Sequence, residues 1–546
     1  MKDKYKLIME LCRRRGFLWP SFEIYGEVAG FWDYGPLGAG LKNRIIERWR
    51  EIYVKREGFY EIDTPTIGIE DVFIASGHVS EFTDPLVRCL KCNAVYRADH
   101  LVEISSSEAE IIEREIREGG ISCPECGGEL SNVYYFNLMF RTTIGPEGER
   151  IGYLRPETAQ GIFINFLRLF RFNRERLPFG IAQVGKAYRN EISPRQGLIR
   201  LREFTQCEVE YFVDPEKKND ASFKDLELLL VPRDGEERRM KLSEALSKGF
   251  IAHALMAYHM TLIHEFLTSI GIPEDKIRFR QHRADEMAHY ANDCWDAEVF
   301  SSRFGWIEVV GLADRGDYDL RAHMEHSKVD LRVDTGEEIG ERRKVVKPLM
   351  NRLGPVYKER AKKIAEAMRN LEFREGSIRV EVDGEILEIP EEFYEAEEIR
   401  ETRRIIPHVI EPSFGVDRIL YVLLEHAYEE EDVNGELRVL LKLPPGIAPV
   451  DAAVFPLVND ERLVEIAKSI ARELSSSGFQ VEYDDSGSIG RRYRRQDEIG
   501  TPFCITVDFE TLEDDSVTLR FRDTMAQERV SRADIRKRLN ELLRRC

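Results

Sequence analysis

At 546 residues the chain is too long for one ordinary hydrophobic core, so about two to four domains or large insertions are expected. A hydrophobic content of 42% with 10% aromatics excludes a disordered polymer, and the short apolar run in MKDKYKLIMELCRRRGFLWP, flanked by charge, is neither a secretory core nor a membrane span, which points to a cytoplasmic setting. A net charge of −19 excludes bulk attraction to nucleic acid, so any RNA partner must be met by local patches.

In chain order, residues 39–57 place Leu41, Ile45, Trp49 and Ile52 at helical spacing, and the strand-like GFYEIDTPTI follows. Residues 89–126 break the pattern with two short knuckles and read as a small inserted module, after which YYFNLMF resumes the alternation of a sheet. Residues 157–172 read as an amphipathic helix. FGIAQVGKAYRNE and IRLREFTQCEVEYF, joined by ISPRQG, read as a long antiparallel hairpin. The charged stretches 214–300 and 315–405 read as insertions, with helices over 251–269 and 355–371 around the strand-like WIEVVGLA. HVIEPSFGVDRILYVLLEHAYEE enters as a strand, turns at Pro412 and continues as a helix with Ser413 as its N-cap. From 446 to 546, short strands alternate with helices, as in a separate α/β domain.

The chemistry-bearing residues sit on these elements. Alternation puts Ala187, Arg189 and Glu191 on one face of the first hairpin strand, and Phe204, Gln206, Glu208 and Glu210 on one face of the returning strand. Arginine suits bidentate phosphate binding, an aromatic ring can cover a purine, and a carboxylate can accept from an amine. A surface hairpin laced with cross-strand ion pairs fits the same pattern. Arg418 falls one helical turn beyond Phe414, where helix N–H groups favour phosphate, though a solvated helix residue fits too. Cys89, Cys92, Cys123 and Cys126 form C-x2-C-x30-C-x2-C, a spacing that suits a closed tetrahedral Zn²⁺ site whose work is folding. In Arg491, Arg492, Tyr493, Arg494 and Arg495 an aromatic lies inside a basic cluster that can stack a base and hold phosphates; a solvated charged face is the alternative. His78, His282, His289 and His323 show no metal spacing, and Cys207 and Cys294 read as small buried residues.

The helix with GFYEIDTPTI, the hairpin YRNEISPRQGLIRLREFTQCEVEYF, and EPSFGVDRILY resemble, in order, the three signature motifs of class II aminoacyl-tRNA synthetases. FWDYGPLGAGLKN, ASGHVSEFTDP, RADHL, YLRPETAQGIFINF, FRQHRADEMAHYANDCWDAE, WIEVVGLADRGDYDL and DDSGSIGRRYRRQDEIG resemble segments of the homodimeric, archaeal and eukaryotic-like glycyl type, so the resemblance spans nearly the whole chain. It implies an α+β catalytic domain at 1–88 and 127–445, an antiparallel sheet flanked by helices, with a zinc-ribbon-like insertion at 89–126 and a C-terminal α/β anticodon-binding domain at 446–546. It implies ATP, Mg²⁺, glycine and tRNA(Gly) as substrates and their metal, structural Zn²⁺, and a homodimer with no membrane partner. Arg189 would bind the α-phosphate, Phe204 stack on adenine, Arg418 lie on the nucleotide's other side, Glu191 meet the adenine amine and Arg200 reach the terminal phosphates. Asn190, Ile199, Leu201, Arg202, Glu203, Glu308, Val309 and Gly415 complete the implied ATP site, with Glu308 near Mg²⁺. Arg97, Glu157, Phe204, Glu208, Glu411 and Ser413 form the implied glycine pocket. Another synthetase of the same subclass, or a non-catalytic RNA-binding paralogue, is the competing reading; RPETAQ and EPSFG speak against the first, and the presence of Arg189, Arg200 and Arg418 against the second.

Overall fold

The computed structural model describes residues 3–102, 108–192, 194, 197–283, 286–287, 291–369 and 371–544; Ser193, Arg195 and Gln196 of the hairpin loop, and His289, lie outside the described residues. Helix α1 (Pro36–Arg50) starts on a proline, whose missing N–H costs nothing at a first helical position, and buries Leu41, Ile45 and Trp49 on one stripe. The helix expected over 39–57 ends in a wider turn, Glu51–Arg56, that buries Ile52 and Tyr53. A Cβ at Gly38 would lie 1.9 Å from the Phe17 carbonyl oxygen, so only glycine fits where α1 crosses that backbone. Strand β1 (Tyr60–Ile62) follows. A small sheet then forms, in which Thr83–Arg88 pairs with both Val95–Arg97 and Tyr134–Asn137.

The continuous helix expected over 157–172 is broken into α2 (Ala159–Phe163) and α3 (Phe166–Phe172). Asn165 is the physical reason: its amide donates to the Gly161 carbonyl at 2.9 Å while its backbone N–H turns to Ile162 at 3.0 Å, diverting the helical ladder. The hairpin is present as β2 (Phe179–Tyr188) and β3 (Glu203–Val213), in register from Phe179 opposite Phe212 to Tyr188 opposite Glu203. Then come β4 (Glu227–Val231), β5 (Arg238–Lys241), helix α4 (Ala254–Ser269), β6 (Ile277–Gln281), β7 (Asp293–Ser301) and β8 (Gly305–Gly316). After the second compact unit the chain returns as β9 (His408–Gly415) and helix α5 (Val416–Ala427).

These nine strands make one sheet in the order β5-β4-β6-β7-β8-β9-β3-β2-β1. Its pairings are antiparallel except β4 with β6 and β2 with β1. Helices α1, α4 and α5 cover one face, and the Phe414 ring is a hub of that core, 5.3 Å from Phe266, 5.4 Å from Tyr53 and 6.1 Å from Trp49. The segment 214–300, expected as an insertion, supplies β4 to β7 of this same sheet. Its charges concealed the strands because they meet one another across the ladder: Arg278 lies opposite Glu298 at 2.6 Å and Arg280 opposite Asp296 at 2.9 Å.

Pro412 is not a turn. It lies inside β9, opposite Leu312 of β8, and the β3–β9 ladder resumes on either side of it, at Ser413 opposite Glu208 and Ile410 opposite Tyr211, because proline has no N–H to donate. The helix N-cap is therefore Gly415, not Ser413, whose hydroxyl is used elsewhere.

Residues 172–177 and 332–406 form a separate compact unit. Val333–Pro348 pairs with Tyr394–Ile405, Ile378–Val382 with Glu385–Ile389, and a small core of Val346, Leu353, Ile364, Met368, Val380 and Phe393 joins them. The helix expected over 355–371 is two, Met350–Tyr357 and Ala361–Met368, separated at Lys358, which adopts a φ of 47°. Helix Tyr318–Ser327, within the expected insertion 315–405, belongs to the main unit.

The C-terminal region builds β10 (Ala452–Pro456), β11 (Val481–Tyr483), helix α6 (Ile489–Ile499), β12 (Phe503–Val507), β13 (Ser516–Phe521) and β14 (Gln527–Ser531), a sheet ordered β11-β10-β12-β13-β14 over its own core. The first three strands are parallel and the last two antiparallel. Among the described residues no helix is long and apolar enough to cross a membrane.

Candidate active site

A cavity of about 270 Å³ opens on the large sheet, walled by β3, β7, β8, β9, the residues flanking the β2–β3 loop and the first turn of α5. One end is acidic. Glu208 on β3 accepts from Ser413 Oγ at 2.7 Å, from the Thr158 N–H at 2.9 Å and from the Thr158 hydroxyl. Glu157 accepts from Gln160 Nε2 at 2.9 Å and stands 3.6 Å from both His78 Nε2 and Arg315 Nη2. Glu411 on β9 pairs with Arg315, a fully buried β8 residue that also grips Asp319 at 2.7 and 2.9 Å. All three glutamates are buried.

Three carboxylates on so little cationic charge cannot all stay ionised easily. Burial raises the Glu157 carboxyl, but His78 and Arg315 outweigh it and hold it well below the usual carboxylate range. Burial and then the neighbouring Glu157 charge push Glu208 up. Burial likewise raises Glu411 against the pull of Arg315, with Glu208 and Glu157 adding to the rise. Glu210, two residues along the same strand, is not part of the cavity lining; both its oxygens are buried with no hydrogen-bond partner among the described residues, and burial and Glu411 push its carboxyl far up.

The other end is cationic. Arg189, just beyond β2, holds its guanidinium 5.4 Å from the Phe204 ring centre and the same distance from Phe82. Arg200 faces Glu191 at 3.5 Å. Arg418, in the first turn of α5, is no solvated helix residue: it donates to the Ile199 carbonyl at 3.0 Å, to the Glu308 carbonyl at 2.9 Å and to Glu308 Oε2 at 3.0 Å. Desolvation pushes the Glu308 carboxyl up, but Arg418, then Arg189 and His282, outweigh it and hold it low. Ile199, Leu201, Val309 and Gly415 complete this wall.

Fourteen of the residues predicted from sequence therefore meet around one void, and four do not. Arg97 is bound to Asp84 at 3.1 Å and Asp99 at 2.6 Å on the small sheet outside the cavity. Asn190 donates its N–H to Leu138, Arg202 braces the Glu191 and Ala29 carbonyls, and Glu203 pairs with Lys186 at 3.1 Å; all three support the loop from behind. Sequence reasoning missed Arg315, Gln160, Asp319, Asp296 and Asp417. Asp417, buried beside Arg418, accepts the Thr205 N–H at 2.6 Å and the Tyr34 hydroxyl, tying the segment before α1 and strand β3 to helix α5. No spacing signalled them: Arg315 lies on β8 and Asp319 on the helix Tyr318–Ser327, so their pairing is made by the chain turning between the two.

The four cysteines converge, with Sγ atoms all within 4.8 Å of one another. Cys89 and Cys126 are 3.5 Å apart and Cys92 and Cys123 3.6 Å, close to the roughly 3.8 Å edge of a tetrahedron with Zn–S bonds of about 2.3 Å. The Lys91 and Cys92 N–H groups point at Cys89 Sγ at 3.4 Å, as a thiolate requires. The donor set thus fits Zn²⁺.

The run 491–495 on α6 does not present a continuous basic face. Arg492 is buried, donating to the Pro456, Asp485 and Gly487 carbonyls, and Tyr493 packs on Phe455 and under Arg520 with its hydroxyl on Thr506. Arg495 pairs with Asp484 and Arg494 with Glu436, leaving Arg491 as the exposed member.

Known proteins resemble the chain along its whole length. A family model described as an anticodon binding domain matches residues 451–542, and one described as the tRNA synthetase class II core domain (G, H, P, S and T) matches residues 140–230. The glycine–tRNA ligase of Methanothrix thermoacetophila is 56% identical over 97% of this chain and 95% of its own. That of Methanothermobacter thermautotrophicus is 52% identical over 98% of each chain, and that of Methanocaldococcus jannaschii 50% identical over 100% of each. A solved structure described as the RNA binding domain of threonyl-tRNA synthetase from Cryptosporidium parvum Iowa II covers 98% of both chains with a TM-score of 0.55 at 17% identity, a likeness of fold.

Proposed function

The chain belongs to the glycine–tRNA ligases, class II synthetases with a C-terminal anticodon-binding domain, and from that premise we propose which of its residues carry the reaction. Glycine activation is an in-line displacement: a glycine carboxylate oxygen attacks the α-phosphorus of ATP, the bond to the bridging oxygen breaks, and pyrophosphate leaves. No acid–base catalyst is needed, so the work is positioning and charge neutralisation. Arg189 holds the α-phosphate, Phe204 covers the adenine and Glu191 accepts from its amine. Arg418 lies on the nucleotide's other side, Arg200 meets the terminal phosphates, and Glu308 would help hold the Mg²⁺ that accompanies ATP, an ion that would neutralise phosphate charge. Glycine then passes to the 3′ end of tRNA(Gly).

The observation that carries this reading is the acid end of the cavity. Glu157, Glu208 and Glu411, with Ser413, line that end with buried carboxylates and suit an ammonium, whereas any larger amino acid would place apolar atoms against those carboxylates. Zn²⁺ on Cys89, Cys92, Cys123 and Cys126 fastens the small module and has no open position for chemistry. The cytoplasm is the proposed compartment, and a homodimer the proposed assembly; sedimentation equilibrium at twice the chain mass checks the latter.

The test is ATP–pyrophosphate exchange across all twenty amino acids, with Glu208→Ala and Arg189→Ala alongside. Exchange with glycine alone, lost in both variants, is the expected result. Exchange with another amino acid, or none at all as for an RNA-binding paralogue, would overturn the assignment.

A further inference from the structure

A histidine–aspartate pair in the cavity wall has no part in that assignment. His282 follows β6, and its backbone N–H is pinned to the Cys294 carbonyl at 2.9 Å. Its Nε2 lies 2.8 Å from Asp296 Oδ1, and Arg280 Nη2 fixes Asp296 in turn at 2.9 Å. The ring is therefore held in one orientation. Its other nitrogen, Nδ1, is buried with no hydrogen-bond partner among the described residues, although both His282 and Asp296 line the cavity. An unpaired buried polar atom costs about 1–3 kcal/mol, a penalty that a ligand atom can remove.

The charged groups facing the imidazole are Asp296 on β7, Arg280 on β6 and Glu308 on β8. The Asp296 hydrogen bond raises the His282 pKa above its ordinary value against the opposing effect of burial, and in the protonated ring both nitrogens donate. Arg189, Arg418 and His282 line the cavity together with Glu308, so two guanidinium groups and an imidazole of raised basicity share it. Such a convergence suits an oxyanion.

We propose that His282, oriented by Asp296, donates from Nδ1 to a β- or γ-phosphate oxygen of the nucleotide and so holds the pyrophosphate leaving group during glycine activation. The inference rests on the function proposed above. In geometry, an asparagine amide nitrogen reaches the position of histidine Nδ1, and a glutamine amide nitrogen that of Nε2. Glycine-dependent exchange is therefore measured on the full chain for His282→Asn, His282→Gln and Asp296→Asn, with thermal melting of each.

His282→Gln is expected to raise the KM for pyrophosphate and ATP about tenfold with the glycine KM unchanged, and His282→Asn to stay within about threefold of the unaltered protein. Asp296→Asn is expected to shift the same two constants in the same direction, through a looser ring. The reverse order, glutamine tolerated and asparagine impaired, would show that the ring only buttresses Asp296. A defect confined to single-turnover transfer, with exchange intact, would assign His282 to the tRNA ribose; either result overturns the proposal. Absence of exchange in the unaltered protein would instead sink the assigned function.

Discussion

At the acid end of the cavity, Glu157, Glu208 and Glu411 share one buried guanidinium, Arg315, and that shortage of positive charge governs how the pocket responds to pH. Burial first, and neighbouring carboxylates second, raise Glu208 in the empty pocket; Glu411 is raised by burial against Arg315. A raised carboxyl gains a proton as pH falls, whereas an ammonium needs the carboxylate, so glycine binding expels protons. The KM for glycine is therefore expected to rise as pH falls from about 8 to about 6, with the ATP KM changing less. A glycine KM that is flat over that range would contradict shared protons in the pocket. Glu208→Gln keeps the shape and the Ser413 contact but loses the charge; we expect a glycine KM higher by about 10–100-fold, measured by exchange, with ATP KM within threefold. The three glutamates were legible because they sit in ordered motifs. Arg315 was not, since nothing in a linear sequence says that a β8 arginine lies behind a β9 glutamate.

At the scale of elements, the same kinds of residue serve opposite purposes according to which face they occupy. The run on α6 reads as an RNA patch, yet Arg492 is turned inward to satisfy loop carbonyls after β10 and β11. Arg492→Ala leaves those carbonyls buried and unpaired and is expected to lower stability by about 3 kcal/mol, seen as a lower Tm, while Arg491→Ala leaves Tm unchanged. Which side of α6 faced the sheet was not visible in the sequence, because charged residues lie on both. The small cysteine module behaves differently, since among the described residues its core is Val87, Ala98, Ile112 and Ile116 with a few partly buried neighbours. Such a core is too small to hold alone. Chelation is expected to release about one Zn²⁺ per chain, measured by a colorimetric indicator, and to make residues 83–137 the first site of protease cleavage; a module equally resistant without metal would argue against a structural ion.

For the whole molecule, the catalytic body and the C-terminal domain are fastened through buried charge. Arg438, in the strand Glu436–Leu441, is 1% exposed and donates to Asp497 at 2.8 Å, to Glu431 at 2.7 Å and to the Arg522 carbonyl at 2.6 Å. Arg522 reaches back to the Leu443 carbonyl at 2.8 Å. Removing one partner of such a network leaves the others buried and uncompensated, so Arg438→Ala is expected to cost about 3 kcal/mol and to impair tRNA charging more than pyrophosphate exchange. Equal loss in both assays would mean that the damage spreads through the catalytic sheet instead.

Periodicity and spacing in the sequence by itself marked the hairpin, the paired cysteines and a separate C-terminal α/β domain, and the resemblance of its segments to a known family implied which residues would meet at both ends of the cavity. Where local chemistry competed with pattern, the tertiary structure decided. Asn165 split a helix by taking a carbonyl, Pro412 stayed in a strand because the neighbouring ladder could do without its N–H, and the paired charges of β6 and β7 made core strands out of a segment that reads as an insertion. Only the fold could decide which of two nitrogens on His282 meets Asp296 and which is left buried with no partner among the described residues, since that is fixed by residues fourteen positions apart brought together across two strands.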